Sequence, residues 1–342
     1  MREFICLGIE TSCDETAASI VKNGRVILSN IVLSQIDLHK VYGGVVPEIA
    51  CRAHIETILP LVDQCLKQAK IKLARLDAIA VSHKPGLIGA LLVGLAVAKS
   101  LSLALDKPLI GINHIEAHLY AVQFEYPKII YPAIGLVASG GHTSLYLVKS
   151  SWSYRRLGAT TDDAAGEAFD KVSYILGLGY PGGPLIEKQA LKGNPAGVKF
   201  PRVYLDNKSY DFSFSGLKTA VLYYAKGQNA SKHSPLKANI SVPDVAASFQ
   251  EAVVDTLVKK IMLAAQRKKV KSIIIGGGVT CNKRLRIKLQ ERIKDSDLNL
   301  YLPRPAFCTD NAAMVAGLAY EKWKKSKSDS LLLDAESTLI RA

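Results

Sequence analysis

The chain repeats one strand-turn-strand plan, and this repetition limits the folds that it can adopt. Residues 4–9 form an apolar run that ends in the polar turn 10–16, and apolar residues resume over 17–21. Residues 134–138 lead into the glycine-containing turn 139–143, and a second apolar run follows over 144–148. Such runs, bounded by polar or glycine-rich turns, predict strands joined by tight loops. The sequence therefore predicts two lobes that begin with similar hairpins.

Helical patterns separate these hairpins and define the fold class. Apolar residues recur at helical spacing over residues 47–69, 86–105, 115–124, 163–176 and 243–268, while short apolar runs at 78–82, 109–112 and 272–275 predict strands. This alternation predicts an α/β fold with duplicated mixed sheets and a central cleft. A proline-bearing polar linker places the boundary near residues 125–128. We expect an N-terminal lobe over 1–127, a C-terminal lobe over 128–310, and a final helical segment, about 311–342, that packs back on the first lobe.

Charge and cysteine content restrict the partners and the compartment. Lysine and arginine outnumber the acids 44 to 30, and basic residues cluster at 267–271, 283–288 and 322–327. This excess favours tRNA or DNA as a partner, with a merely soluble basic protein as the alternative. Six cysteines without a C-x-x-C pair fit reduced thiols in a cytosol. The N-terminus lacks a signal-peptide pattern, and the apolar run 87–98 stops at Lys99, short of a membrane span. We therefore expect a cytoplasmic protein without membrane contact, in which this run is a buried helix.

Two histidines in His114-Ile-Glu-Ala-His118 indicate a metal site. Residues four apart on a helix share one face, so both imidazoles can bind the same ion. Glu116 lies about 200° around the helix from each histidine and faces away, unlike the glutamate of the zinc-protease pattern His-Glu-x-x-His. The alternative is a surface helix with two unrelated histidines. A metal site needs a third ligand from elsewhere in the chain.

Glycine turns at strand ends indicate a nucleotide site. Ser139-Gly-Gly141 and Gly276-Gly-Gly278 offer backbone N–H groups that phosphate oxygens can approach. Tight turns without a ligand are the alternative interpretation. Asp14, in the first turn, and Asp170 could contact a metal, ribose hydroxyls or a reacting amine. The sequence contains neither a G-x-S-x-G elbow nor a P-loop motif, which argues against a serine hydrolase and a P-loop NTPase.

Taken together, the motifs resemble the bacterial TsaD family over residues 4 to 325. The motifs that carry the resemblance are Glu10-Thr-Ser-Cys-Asp-Glu-Thr16, Pro85-Gly-Leu87, Leu92-Val-Gly-Leu95, Asn113-His-Ile-Glu-Ala-His118, Ser139-Gly-Gly-His-Thr143, Tyr180-Pro-Gly-Gly-Pro184, residues 211–218 and Cys308-Thr-Asp-Asn-Ala-Ala313. The resemblance implies the two-lobed actin-like ATPase fold of sugar kinases and acetate kinase. It also implies transfer of a threonylcarbamoyl group from threonylcarbamoyl-adenylate to N6 of adenosine 37 in tRNAs that read ANN codons, forming t6A and releasing AMP.

The same resemblance assigns site residues. It implies one divalent metal per subunit, iron(II) in the usual assignment and zinc(II) as an alternative, with the ligands His114, His118 and Asp310. Substrate-binding positions fall on Val137, Ala138, Ser139, Gly140, Gly141, Asp170, Gly183, Glu187 and Asn282. The metal would polarise the threonylcarbamoyl end of the substrate, and the glycine loops would hold its AMP moiety. Asp14 is the candidate for positioning or deprotonating the adenosine amine.

Partners and competing functions complete the expectations. The resemblance implies contact with the tRNA anticodon loop, with a TsaB-like paralogue through the N-terminal lobe and with a TsaE-like ATPase. Three other functions stay open, one of which is a purely structural tRNA-binding subunit that would tolerate replacement of Asp14 and Asp310. A metalloendopeptidase would need a base beside His114, and a small-molecule kinase of the same fold would use the loops without needing His114 and His118.

Overall fold

The computed structural model describes residues 3–202 and 209–337. The chain divides into two compact units. Unit 1 comprises residues 1–128 and 309–342, and unit 2 comprises residues 129–308. Residues 338–342, the end of the segment expected to pack back on the first lobe, lie outside the described residues.

Ten strands and eleven helices occupy the described residues. The strands are β1 Ile5–Glu10, β2 Glu15–Lys22, β3 Val26–Ser34, β4 Ala78–Lys84, β5 Leu109–Asn113, β6 Ala133–Ala138, β7 Thr143–Ser150, β8 Ser153–Ala159, β9 Ser272–Gly276 and β10 Asn299–Tyr301. The helices are α1 Ile36–Lys40, α2 Pro47–Ala69, α3 Ile88–Leu105, α4 His114–Tyr120, α5 Ala165–Ile175, α6 Gly182–Ala190, α7 Ser215–Lys226, α8 Val242–Lys268, α9 Lys283–Ile293, α10 Pro305–Cys308 and α11 Ala312–Trp323. Short 3-10 turns lie at Leu73–Arg75, Ala121–Phe124 and Gly278–Cys281.

The two units share one sheet topology. Unit 1 has the strand order β3-β2-β1-β4-β5, and unit 2 has β8-β7-β6-β9-β10 when read in the same direction. In both, the first strand pairs antiparallel with the hairpin strand and parallel with the strand after a helical connection. The duplicated mixed sheets predicted from the hairpin plan are thus confirmed, and the fold is α/β.

Burial of apolar strands explains the core of each unit. All six residues of β1 and all six of β6 are buried, because helices cover both faces of each sheet. Unit 1 packs α2 and α3 against its sheet, and unit 2 packs α5 and α8 within a core of its own. Central strands buried on both faces have continuous apolar sequences, and this is the pattern that the sequence showed.

The helix after Asp310 belongs to unit 1. Helix α11 packs on β1 at Gly8, where a β-carbon would lie 2.4 Å from the carbonyl oxygen of Ala312. Only glycine permits this approach of helix backbone to strand. The following segment also joins the unit 1 sheet, because Asp329 pairs with Leu109 in an isolated bridge. This packing brings Asp310 to the same unit as α4.

Helix α3 differs from the buried helix that we expected. By length and composition it is apolar enough to cross a membrane, but only 33% of its window is buried. One face packs on β4 through small residues, while Leu92 and Leu103 are exposed. Residues 87–98 are all apolar or glycine, so the sequence does not distinguish the face that is buried from the face that is exposed.

Candidate active site

A capped helix presents the two predicted histidines in unit 1. Strand β5 ends at Asn113, whose side-chain oxygen accepts hydrogen bonds from the backbone N–H groups of Ile115 (2.9 Å) and Glu116 (3.2 Å). This N-cap starts α4 at His114. His114 and His118 then lie one turn apart, with relative exposures of 3% and 0%. Their ring centroids are 4.6 Å apart.

Asp310 reaches the same point from the other end of the chain. Its Oδ1 lies 3.1 Å from Nε2 of His118 and 3.6 Å from Nε2 of His114. One candidate ligand atom from each of the three residues lies within 4.8 Å of the others. Asn311 fixes the turn, since its side chain caps α11 by accepting from the backbone N–H of Met314 at 3.1 Å. The structure therefore brings all three predicted ligands together.

The donor set and its spacing fit a divalent cation. Ligand bonds of about 2.1 Å in a tetrahedral site place neighbouring ligand atoms roughly 3.4 Å apart. The distances from Asp310 to the two imidazoles bracket that value. In addition, Nδ1 of His118 is buried without a hydrogen-bond partner among the described residues. Two imidazoles and a carboxylate suit zinc(II) or iron(II).

Charges around the histidines shift their pKa values in opposite directions. Burial disfavours the imidazolium of His114, but the charges of Glu10 and Asp310 outweigh it and raise the pKa of His114 to about 9. For His118 burial dominates, and its pKa is lowered. The two imidazoles thus differ in their electrostatic surroundings, because the carboxylate of Glu10 contacts His114 at 2.9 Å while burial dominates at His118.

Glu116 faces other charges, as its helix position predicts. Burial raises the pKa of its carboxyl, and the opposing charges are those of Lys322 and Lys84. The cluster of possible metal ligands in the described part of the chain does not include Glu116. This placement agrees with the expectation that Glu116 faces away from the histidines.

The turn between β1 and β2 adds two carboxyls to unit 1. Asp14 is buried, and its backbone oxygen accepts from the N–H of Gln35 at 3.0 Å. Burial raises the pKa of the neighbouring Glu15 well above its usual range, and the charges of Asp310 and Asp14 and a hydrogen bond with the Asp14 side chain reinforce the effect. Sequence reasoning missed Glu15. The feature that could have identified it is an acidic residue at the first position of β2, between the buried residues Asp14 and Thr16.

The predicted glycine loops lie at the ends of two adjacent strands in unit 2. Strands β6 and β9 are parallel neighbours, so their carboxyl ends, at Ala138 and Gly276, lie side by side. Gly277 has a φ of +90°, and a β-carbon there would lie 2.4 Å from the Ala138 carbonyl oxygen. At Gly140 and Gly141 no heavy atom beyond the adjoining residues lies within 4 Å of a β-carbon position. Ligands of open α/β sheets bind at such carboxyl ends.

The remaining predicted binding residues also lie in unit 2. Asp170 accepts a hydrogen bond from the N–H of Gly182 at 2.7 Å, which places it beside Gly183. Glu187 accepts from the N–H of Lys283 at 2.7 Å, next to Asn282. Asn282 caps α9 and donates from Nδ2 to Gln250 Oε1 at 2.7 Å. The structure thus brings Asp170 beside Gly183 and Glu187 beside Asn282.

Several basic residues are already engaged inside unit 2. Arg284 and Lys288 pair with Glu251. Arg286 donates to the backbone oxygens of Thr280 and Pro303, both at 2.7 Å. Exposed lysines of the same clusters are Lys269, Lys271 and Lys283. These three side chains are the lysines of the two clusters that remain exposed to solvent.

Comparison with solved structures defines the class of the fold. HypF from T. kodakarensis matches with a TM-score of 0.64 at 14% identity, covering 97% of this chain and 49% of that chain. Component A of (R)-2-hydroxyglutaryl-CoA dehydratase from Acidaminococcus fermentans matches with a TM-score of 0.54 at 17% identity, covering 95% and 100%. The chain thus has the actin-like ATPase fold, as expected from its resemblance.

Sequence comparison defines the family. The profile of TsaD, described as tRNA N6-adenosine threonylcarbamoyltransferase, matches residues 26–317. Relatives of that name from Protochlamydia amoebophila (strain UWE25) and Syntrophomonas wolfei subsp. wolfei are 53% and 48% identical, covering 97% and 99% of this chain and 96% and 98% of theirs. The chain belongs to the TsaD family and is a transferase. The expected family membership is confirmed.

Proposed function

We propose that this chain transfers the threonylcarbamoyl group of threonylcarbamoyl-adenylate to N6 of adenosine 37 in tRNAs that read ANN codons, forming t6A and releasing AMP. One observation carries the proposal. In a member of the TsaD family, two buried imidazoles and the distant Asp310 converge on one point. Helix α4 and the turn before α11 hold these side chains in place, so the arrangement is built into unit 1.

His114, His118 and Asp310 would hold one divalent cation, iron(II) in our assignment and zinc(II) as the alternative. Such a cation supplies Lewis-acid polarisation of a carbonyl oxygen. The residues of unit 1 supply the position and the environment of the ligands, because they hold the two imidazoles in place and keep them away from bulk water. Burial strengthens the electrostatic contacts made inside the site.

The loops of unit 2 would bind the adenylate. Gly140 and Gly141 have open space above them, so phosphate oxygens can approach their backbone amides, whereas the N–H of Ser139 donates to His142 within the loop and leaves the Ser139 hydroxyl as its candidate contact. We assign contacts of the AMP moiety to Val137, Ala138, Asp170, Gly183, Glu187 and Asn282 as well. The carboxylates of Asp170 and Glu187 are acceptors suited to ribose hydroxyls, and each also fixes a neighbouring backbone N–H.

Asp14 is the proposed residue for positioning or deprotonating the adenosine amine. In the transfer, a C–N bond forms between N6 and the carbamoyl carbon, the bond from that carbon to the adenylate oxygen breaks, and one N6 proton passes to a base. The side chain of Glu15 hydrogen-bonds to that of Asp14, and burial raises the pKa of Glu15, so Glu15 can donate this bond and orient the Asp14 carboxylate.

The tRNA and protein partners follow from the same assignment. Exposed lysines of unit 2 would contact phosphates of the anticodon loop, whose target adenine must leave the base stack. A TsaB-like paralogue would cover the exposed apolar side chains of α3, and a TsaE-like ATPase would complete the system. We assign residues 1–128 with 309–342, which include all three metal ligands, and residues 129–308 as the two functional lobes, in a cytoplasmic enzyme.

Nucleoside mass spectrometry of tRNA tests the proposal. The tRNA is incubated with threonine, bicarbonate, ATP, the enzyme that makes threonylcarbamoyl-adenylate, the partner proteins and either wild type or His114→Ala. We expect t6A with wild type, a loss of at least about 100-fold with His114→Ala, and full yield with His233→Ala, whose imidazole is exposed. Absence of t6A in the complete wild-type mixture would refute the function.

The competing functions have their own readouts. A metalloendopeptidase would cleave casein when loaded with metal, but Glu116 does not lie in the ligand cluster of the described residues. A small-molecule kinase would phosphorylate its substrate with ATP at the same rate after replacement of His114 and His118. Casein cleavage or histidine-independent phosphorylation by purified protein would favour these alternatives.

A further inference from the structure

The carboxylate of one buried residue contacts the proposed metal ligand His114 but is not itself one of the three proposed ligands. Glu10 is the last residue of β1, and its relative exposure is 0%. Its Oε1 accepts from the backbone N–H of Ser12 at 2.6 Å. Its Oε2 accepts from the hydroxyl of Ser82 and lies 2.9 Å from Nδ1 of His114. Strand β4, which carries Ser82, is the parallel neighbour of β1, so the sheet itself fixes these contacts.

The hydrogen-bond pattern assigns a direction to each contact. An ionised carboxylate only accepts, and the N–H of Ser12 and the hydroxyl of Ser82 can both donate to it. Nδ1 of His114 must then also donate, so it carries a proton. The other ring nitrogen, Nε2, faces Asp310 at 3.6 Å and is the atom left to bind a cation. Ser12 Oγ, 3.1 Å from the same Nδ1, lies on the same side of the ring.

His118 has no comparable support. Its Nδ1 is buried and without a hydrogen-bond partner in the residues that the structure describes. Both histidines offer Nε2 to Asp310, but a carboxylate orients only the ring of His114. The two proposed ligands therefore differ in how their rings are held. The protein fixes the orientation of the His114 ring through Nδ1 before a cation binds.

We propose that Glu10 is a positioning residue for the metal site. It holds one proton of His114 on Nδ1 and the ring in one orientation, so that Nε2, which must release its own proton to bind a cation, faces Asp310. The inference rests on the proposed role of His114, His118 and Asp310 as metal ligands. Partners of ligating histidines of this kind change metal affinity by about 10–100-fold when they are removed.

Glu10→Gln tests the proposal with cobalt(II) and zinc(II). A glutamine that keeps its carbonyl on Nδ1 turns its NH2 group toward the backbone N–H of Ser12, which cannot accept. A glutamine turned the other way donates to Nδ1 and moves the ring proton to Nε2, where the cation should bind. Either arrangement weakens binding. We expect the dissociation constant, measured by competition with a chromophoric chelator, to rise about 10–100-fold.

Two further variants separate position from charge. Glu10→Asp keeps the charge but is one methylene shorter, so it should lose affinity nearly as Glu10→Gln does and change the visible spectrum of bound cobalt(II). Glu116→Gln removes a carboxyl from the same helix as His114, on the side of Lys322, and should change the dissociation constant by less than about threefold. Wild-type affinity in Glu10→Gln, or in Glu10→Asp alone, would overturn the positioning role.

Ser82→Ala tests the proposal if the Glu10 variants do not fold, since it leaves every charge in place. Loss of one hydrogen bond to Glu10 should weaken metal binding about fivefold. Unchanged affinity in Ser82→Ala together with misfolded Glu10 variants would overturn the proposal. Metal affinity and t6A formation are separate readouts. Wild type that binds cobalt(II) but forms no t6A refutes the function alone, whereas wild type that binds no metal refutes the site and the role of Glu10 together.

Discussion

The pairing of Glu251 with Arg284 and Lys288 gives a stability prediction that depends on pH. Arg284 donates to the carboxylate at 2.7 and 2.9 Å, Lys288 also donates to it, and these bonds lower the pKa of Glu251 from 4.5 to about 2 against the effect of burial. At about 1.36 kcal/mol per pKa unit this fall corresponds to roughly 3.4 kcal/mol. The group is partly exposed, and solvent screening reduces the contribution to about 1–2 kcal/mol.

The direction of the pH dependence follows from the lowered pKa. A carboxyl with a depressed folded-state pKa stabilises the fold above its unfolded value, and the contribution is lost as pH falls from about 4.5 through about 2. Glu251→Gln should therefore lower the free energy of unfolding by about 1–2 kcal/mol at pH 7. Below pH 4.5 the difference between wild type and variant should shrink.

Urea unfolding followed by circular dichroism between pH 7 and pH 3 measures this difference. Glu291→Gln is the matched control, since Glu291 lies 3.7 Å from the same arginine but its side chain is 60% exposed. It should cost less than about 0.5 kcal/mol. Equal losses in the two variants, or a Glu251→Gln deficit that stays constant down to pH 3, would refute the reasoning.

Two further changes test packing and ligation. In Gly94→Ala the new β-carbon would lie 2.3 Å from Oγ1 of Thr11, so we expect about 1–2 kcal/mol of destabilisation in a thermal melt. The control Gly44→Ala should be neutral, because nothing lies within 4 Å of its β-carbon position. Equal melting temperatures for the two variants would contradict the close packing of α3. Asp310→Asn should leave well below one bound metal per chain in elemental analysis by mass spectrometry, because a neutral amide is a poor substitute for a carboxylate ligand; full occupancy would remove Asp310 from the ligand set.

The sequence predicted the central strands better than the edge strands. β1, β2, β6 and β7 were predicted to within about two residues, because buried strands have apolar sequences bounded by polar turns. β3 and β8, each the third strand of its unit, and the three-residue strand β10 were missed. All three lie at a sheet edge and are only partly buried, so their sequences lack the signal on which the prediction depended.

The candidate site was predictable only where its members are close in sequence. The spacing of His114 and His118 indicated one metal-binding face directly. Asp310 is 192 residues from His118, so its place came from the family resemblance and not from any local pattern. Glu10 and Glu15 were not singled out, since their roles depend on how the strands align and which charges burial brings together.

Transfer from preformed threonylcarbamoyl-adenylate to tRNA, followed by mass spectrometry, tests the central claim most directly. Four samples are compared. They are wild type as purified, wild type stripped of metal by a chelator, stripped wild type reloaded with iron(II) or zinc(II), and His118→Ala stripped and reloaded in the same way. We predict t6A with the first, a loss on stripping, recovery on reloading in wild type and no recovery in His118→Ala. Undiminished transfer by stripped protein, or recovery by His118→Ala equal to that of wild type, would contradict the account.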